Sequence, residues 1–531
     1  MRLAHLPFTT IEEHAVEETL MGAGAANGYT VAAFLAYLLL VVGIGVYATR
    51  FSSAGISEYF IGGRTMGRFV VALSAVVSGR SAWLLLGVTG LAYTRGASAL
   101  WAVAGYTLVE LLLFLYYAPR LRRFSGAYDC ITLPDFFAER FGDPKGYLRG
   151  MLVLIILFFM VGYVSAQFVA GGKAFGATFG ISPTSGVLLT AAIVLAYTLL
   201  GGFVAVSLTD AAQGILMLLA LVVLPVIAIV HAGGLDAVLA ELRGVDAALV
   251  DPFAITAGAL IGFVGIGLGS PGNPHILARY MSIRDAEQLR FAAVIGTLWN
   301  VVMGAGAIFI GLAGRSYFRE VSLLPGADTE NLFPMLAQQH LHPLLVGVVM
   351  VAVFAAIMST ADSQLLVAAS GVVRDLYQKV LHPAEEIPQR RLVLLSRIVV
   401  LVLVILSLAL GMVAQDLVFW LVLFAWAGLG AAFGPTSILA LFWRRTTRAG
   451  IYAGVLVGTL TTIAWYYTPA LKGRLYELIP AFVLGLLATV VVSLVTRPPA
   501  ATERMFRAMQ RAPGGPSERR LRGESAERRA S

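Results

Sequence analysis

The sequence predicts an all-α polytopic membrane protein, and three observations carry that prediction. Apolar runs of about 20 residues, long enough to cross a bilayer as helices, recur along the chain with short polar links between them. Hydrophobic residues make up 58% of the 531 residues and charged ones only 13%, at a mean hydropathy of +0.83. A soluble chain carries roughly twice that charged fraction. Third, arginine and lysine gather in alternate links, the positive-inside bias of a chain that crosses repeatedly. About thirteen spans fit these runs. The net charge of +8 is then topological and does not point to nucleic acid.

Residues 1–27 form an N-terminal segment on the outer side. Glu12, Glu13, Glu17 and Glu18 make it acidic, and it lacks the apolar core of a signal peptide. The transmembrane domain is expected over 28–496, opening with a span at 28–49. Arg50, Arg64 and Arg68 mark the first inner link. The second span starts at 69 and is interrupted by Ser78-Gly79-Arg80-Ser81. An arginine at the centre of a membrane helix costs roughly 2.5–3.5 kcal/mol, so this break must line a cavity or pack on protein.

The third span runs over 97–119, and Arg120, Arg122, Arg123, Arg140, Lys145 and Arg149 fill the inner link after it. Spans four to six are expected at 151–179, 185–203 and 210–231. The link that follows is acidic, with Asp236, Glu241, Asp246 and Asp251 against Arg243. The seventh span, 252–271, ends in GIGLGSPGNP, where glycine and proline preclude a continuous helix. Spans eight and nine follow at 288–312 and 344–366, the ninth continuing as an amphipathic helix to 377. The last four lie at 392–413, 417–443, 449–467 and 478–495. The tail, 497–531, is basic, rich in Arg, Glu, Gly, Pro and Ser, and reads as disordered in the cytoplasm.

Broken spans at positions two and seven stand an odd number apart, so they cross in opposite directions. Two inverted repeats, each opening on a helix broken at the binding site, produce that pattern. In the ninth span, Ser359 and Ser363 share a helical face, with Thr360 and Asp362 beside them. Their hydroxyls, with carbonyls freed by a broken helix, form a hard-oxygen set suited to a small alkali cation. The alternative is that they hydrogen-bond back to their own helix or a neighbour. Asp362 is an intramembrane carboxylate with Arg80 as candidate partner; the other reading leaves it solvated from the cytoplasm. Cys130 stands alone, which excludes an internal disulfide and a cysteine-based metal cluster. Nothing resembles a phosphate loop or a catalytic Ser-His-Asp spacing, so an enzyme is not expected.

Several stretches, in order, resemble the solute:sodium symporter family over about 59–443. They are YFIGGRTMGRFVVALSAVVSGRSAWLLLG, ITLPDFFAERFGD, GGFVAVSLTDAAQ, GNPHILAR and AAIMSTADSQLLVAASGVVRDLY. The resemblance implies a leucine-transporter fold with alternating access and sodium as coupling ion, without any other cofactor. It places a sodium site on backbone carbonyls of Val77, Arg80 and Ala356 and the hydroxyls of Ser359 and Thr360. It puts Ser81, Tyr163, Ile266 and Pro274 at the substrate. Arg64, Asp210 and Asp362 take coupling or gating roles.

The family's proline-transporting members have aspartate-methionine at Gly79-Arg80 and tryptophan at Ile266. A carboxylate is exchanged for a cation, and an aromatic wall is lost. Either the Arg80 side chain turns away while its carbonyl binds sodium, or the guanidinium occupies the cation site as a built-in charge. The expected function is sodium-coupled uptake of a small organic solute, proline or another amino acid, at the cell membrane. The partners are that solute, sodium and the lipid bilayer, with no nucleic acid. The alternatives are a sodium-independent or proton-coupled transporter with Arg80 replacing the cation, and a non-transporting solute sensor.

Overall fold

The structure, a computed structural model, describes residues 27–52, 55–413 and 418–510. The acidic segment before residue 27 and the tail beyond 510 lie outside the described residues. Every regular element described is helical, with one isolated backbone bridge between Met66 and Ile283. A helix satisfies its own backbone groups, which hydrocarbon cannot do for it.

Ten helices among the described residues are long and apolar enough to cross a membrane. Three shorter apolar helices accompany them: Arg68–Ser78, Pro183–Leu199 and Ala257–Gly272. The expected fifth and sixth spans are joined without a polar link. Residues Pro183–His231 form one helical run bent at Gly202, whose φ of 57° only glycine adopts freely.

Burial sorts the helices. The ninth span and its extension, Pro343–Leu381, and the eleventh, Val418–Phe442, each have 83% of their most apolar stretch buried. The corresponding values are 28% for Gly28–Thr49 and 33% for Leu478–Val495, which show Leu39, Val46, Leu487 and Val495 outward. The ninth and eleventh spans are therefore interior, and the first and last face lipid.

Both expected breaks are present. In the second span the helix Arg68–Ser78 ends at Gly79, Ser81 takes a left-handed φ of 50°, and helical structure resumes at Trp83. In the seventh, Ala257–Gly265 tightens into a 3₁₀ stretch, Ile266–Gly272, and Asn273 is extended before Pro274–Ser282. The breaks pack on each other: a Cβ on Gly79 would lie 3.2 Å from Ile276 Cδ1. A Cβ on Gly272 would lie 2.4 Å from the Leu429 carbonyl, so only glycine lets the seventh span lie this close to the eleventh.

Ion pairs tie both ends of the bundle. At one end Arg149 bridges Asp135 (2.6 Å) and Asp375 (2.5 Å), and Arg374 reaches Asp135 at 3.2 Å. This joins the short helix Leu133–Phe141, the fourth span Tyr147–Phe179 and the ninth span's extension Gly371–Leu381. At the far end of the fourth span Lys173 meets Asp328 (2.7 Å) and Glu330 (2.6 Å). Glu330 also accepts hydrogen bonds from the Val418 and Phe419 amides, satisfying the start of the eleventh helix.

One expectation about the tail is corrected. Residues Thr502–Gln510 are helical, and Met505, Phe506 and Met509 are buried. Polar composition had suggested disorder, but these apolar residues share one face, and Phe506 lies under the Arg140 guanidinium at 5.2 Å.

Candidate functional site

The broken second span meets the ninth span at the middle of the bundle. Ser359, Thr360, Asp362 and Ser363 are all buried. The Thr360 hydroxyl donates to the Ser78 carbonyl at 3.1 Å, across the break, and the Ser359 hydroxyl donates to Ala356 O at 3.1 Å. Oxygens of Ala356, Ser359, Thr360 and Ser78 are thus gathered where the helix is interrupted. Val77 and Arg80, expected to contribute carbonyls, flank Ser78. Their carbonyls accept the Arg80 amide (3.0 Å) and the Leu84 amide (3.1 Å) within the turn.

Next to these oxygens lies a charged cluster. Asp210 Oδ2 accepts from Ser74 (2.6 Å) and Ser78 (3.0 Å) and pairs with Arg279 Nη2 at 3.1 Å. Arg279 also donates to Ser363, whose single hydroxyl proton is shared between the Ser359 carbonyl (2.6 Å) and Asp362 Oδ1 (3.0 Å). Two expectations for Asp362 are corrected here. It is fully buried rather than solvated from one side, and its link to a cation runs through Ser363 to Arg279, not to Arg80. Arg279, the last residue of the GNPHILAR stretch, is only 1% exposed. The seventh-span break carries it inward.

Arg80 points elsewhere. Its guanidinium pairs with Glu110, and its Nε–H donates to Asn300 Oδ1 at 2.9 Å. Asn300 Nδ2 donates in turn to Glu110 Oε2 at 2.7 Å, closing a triangle. The Tyr106 ring lies beneath the guanidinium, 3.8 Å from its carbon to the ring centroid. Glu110 and Tyr106 come from the third span, Leu100–Leu112, and Asn300 from the eighth, Leu289–Tyr317. The Arg80 charge is therefore neutralised on the side away from Ser359 and Thr360.

A small cavity of about 10 Å³ lies at the break, lined by Gly79, Arg80, Trp83, Tyr163, Ile266, Val422, Leu423 and Trp426. It shares Ile266 and Leu423 with a vestibule of about 670 Å³ that reaches Arg95, Thr256, Lys472 and Arg474 at one end of the bundle. The aromatic wall expected to be missing at Ile266 is supplied by Trp426, whose Nε1–H donates to the Ile266 carbonyl at 2.8 Å. Tyr163 lines the cavity beside Ser81 and stands edge-on to His275 at 6.1 Å. Pro274 opens the inner helix of the seventh span and is buried. Arg64 is remote from the centre. It fastens the start of the second span to Ser125 O and Cys130 O, each at 2.9 Å, and to Asp129 at 3.2 Å.

Sequence reasoning overlooked Glu110, Asn300, Arg279 and Trp426. Glu110 had a signal, since a carboxylate inside a membrane span demands a partner. Trp426 had none, because one aromatic in an apolar helix is unremarkable.

A helical bundle with two interrupted helices meeting at a buried polar centre defines a membrane transporter. The chain belongs to the sodium:solute symporter family, whose family model matches residues 59–458. It is 38% identical to the osmoregulated proline transporter OpuE of Bacillus subtilis (strain 168) over 479 residues, covering 90% of this chain and 96% of that one. It is 39% identical to the high-affinity proline transporter PutP of the same strain over 461 residues, covering 86% and 96%. The sodium/proline symporter of Staphylococcus aureus (strain JH9) is 37% identical over 491 residues, covering 90% and 94%. Among solved structures, a Na⁺-coupled sialic acid symporter in a substrate-bound outward-open state superposes with TM-score 0.76 at 19% identity, covering 89% of this chain and 99% of that one. MhsT in complex with L-phenylalanine superposes with TM-score 0.51 at 15% identity, covering 81% and 98%. The fold is thus of the leucine-transporter type. The chain is a multi-pass membrane transporter and not an enzyme.

Proposed function

We propose that this chain imports a small organic solute, proline or another amino acid, together with sodium by alternating access at the cell membrane. The observation that carries the reading is the contact of Thr360 with the Ser78 carbonyl beside Ser359 and Ala356. Hydroxyl and carbonyl oxygens suit sodium, and the fixed cation beside them, Arg279, is paired with Asp210. Arg80, the residue that raised the alternative of a built-in cation, is held instead by Glu110 and Asn300. Ser359, Thr360 and the carbonyls of Val77, Arg80 and Ala356 take the ion. Ser81, Tyr163, Ile266 and Pro274 border the solute, and Asp210 and Asp362 respond to the ion beside them. Names of the relatives, all proline transporters, support the solute class. The charge bias of the links supports an N-terminus outside and a C-terminus in the cytoplasm, an orientation in which the vestibule opens outward.

Labelled proline uptake into vesicles tests the reading, with sodium or choline outside. Sodium-dependent accumulation is expected. Equal uptake in both media rejects sodium coupling, and no uptake in either rejects proline.

A further inference from the structure

We infer that Arg80 is the anchor for a carboxylate on the transported solute, and that the carboxylate, not an amine, is the group the cavity selects. This rests on the reading of the chain as a carrier of a small organic solute and names the chemistry of that solute.

The argument starts from which hydrogen-bonding groups are already used. Arg80 has five N–H donors in a planar fork. Asn300 takes the Nε–H and Glu110 takes one terminal nitrogen, Nη2. The other terminal nitrogen, Nη1, meets only the carbonyl of the preceding Gly79, at 3.4 Å. That is long for an N–H···O bond, whose usual range ends near ~3.2 Å. Arg80 lines the cavity, so an underused charged donor borders the space where a solute would sit.

Trp83 supplies a second donor. It is 4% exposed, it lines the same cavity, and its indole Nε1–H has no hydrogen-bond partner among the described residues. An unpartnered buried N–H calls for an explanation. A carboxylate has two oxygens to offer, one for each donor, and charge-assisted bonds of this kind are the stronger sort.

The remaining lining argues against selection for an amine. Among the described residues no Asp or Glu lines the cavity, and apart from Tyr163 the rest of its lining, Ile266, Val422, Leu423 and Trp426, is apolar. Glu110 is engaged by Arg80 and Asn300 and lies outside that lining. The same two partners act as positioning residues: with Tyr106 stacked beneath, they hold the guanidinium so that only its Nη1 edge is available. A small carboxylate with an apolar body fits donors at one end and hydrocarbon at the other. Because the cavity encloses only about 10 Å³, admission requires it to open toward the vestibule across Ile266 and Leu423.

Three matched probes separate the groups: proline, cyclopentanecarboxylate (carboxylate without amine) and pyrrolidine (amine without carboxylate). Binding to the purified full-length protein is read in sodium chloride as the ligand-dependent rise in unfolding temperature, with acetate, propionate and benzoate added to the panel. Cyclopentanecarboxylate is expected to bind within about threefold of proline, and pyrrolidine at least about tenfold more weakly. Arg80→Met should weaken carboxylate binding about tenfold or more. The double variant Arg80→Met/Glu110→Gln removes both buried charges, so it keeps the test valid if the single variant fails to fold.

Pyrrolidine binding as well as proline overturns the inference, as does proline binding without cyclopentanecarboxylate. Unchanged carboxylate affinity in the double variant, or no binding by any carboxylate in the panel, overturns it too. The two readings fail separately. Carboxylates that bind while proline neither binds nor enters vesicles sink only the proline assignment. Sodium-driven proline uptake with an unchanged KM in the double variant sinks only the role of Arg80.

Discussion

Ser359 and Thr360 are ordinary residues made specific by position. A hydroxyl in a membrane helix commonly bonds to its own backbone, and Ser359 does so through Ala356. Thr360 instead reaches the carbonyl of another span, at the point where that span is broken. Replacing either by alanine removes one oxygen of the proposed sodium site, and we expect the sodium concentration for half-maximal uptake to rise about tenfold. Uptake measured against sodium at fixed solute would show it; an unchanged sodium dependence in both variants removes them from the site. Glu110 acts by a different principle. Truncating one partner of a buried ion pair strands the other charge and costs about 3–5 kcal/mol, whereas removing both charges is often near neutral. Glu110→Ala should therefore lower the unfolding midpoint in detergent sharply, and Arg80→Met/Glu110→Gln should recover most of the loss.

At the scale of elements, the ion pairs at the bundle ends fasten the fourth span to its neighbours. Asp135 sits between Arg149 and Arg374 on the short helix Leu133–Phe141, outside the spans. Burial pushes its carboxyl up, but Arg374 and Arg149 outweigh that and hold it below the ordinary aspartate value. A depressed carboxylate stabilises the fold above its unfolded pKa of ~3.9, and the contribution is lost as pH falls through the lower folded value. We expect Asp135→Asn to unfold at a lower temperature than the parent at pH 7, with the gap shrinking as pH falls below about 4. A gap that stays constant across that range would mean that the pair does not clamp the fourth and ninth spans.

For the whole molecule, the fold class and both breaks were legible because lipid imposes one rule on the backbone. An interruption by glycine, proline or a charge has to be compensated by protein, and it shows in the sequence. The partners of Arg80 were not legible, because Glu110, Tyr106 and Asn300 stand 30, 26 and 220 positions away and no spacing rule joins them. The bend at Gly202 was hidden for another reason: one glycine in an apolar run signals a turn only when the neighbouring helices are known. Orientation can be tested on the intact molecule. Cys130, the sole cysteine, is fully buried, so background labelling should be low. Phe263 lies three residues before the 3₁₀ stretch and lines the vestibule, so Phe263→Cys should react with a membrane-impermeant maleimide from outside intact cells. Reaction only after permeabilisation would invert the assigned topology.

The closed triangle of Arg80, Glu110 and Asn300 also has an electrical meaning. A charge that shifts through the membrane field exchanges work with it, about 2.3 kcal/mol per elementary charge per 100 mV for a full crossing. A lone arginine on a broken helix would add its own displacement to one half-cycle and return it in the next. Arg80 carries its counter-charge in contact, and the two together present only a dipole. While they move as a unit, this pair adds little to the transient charge movement of each half-cycle.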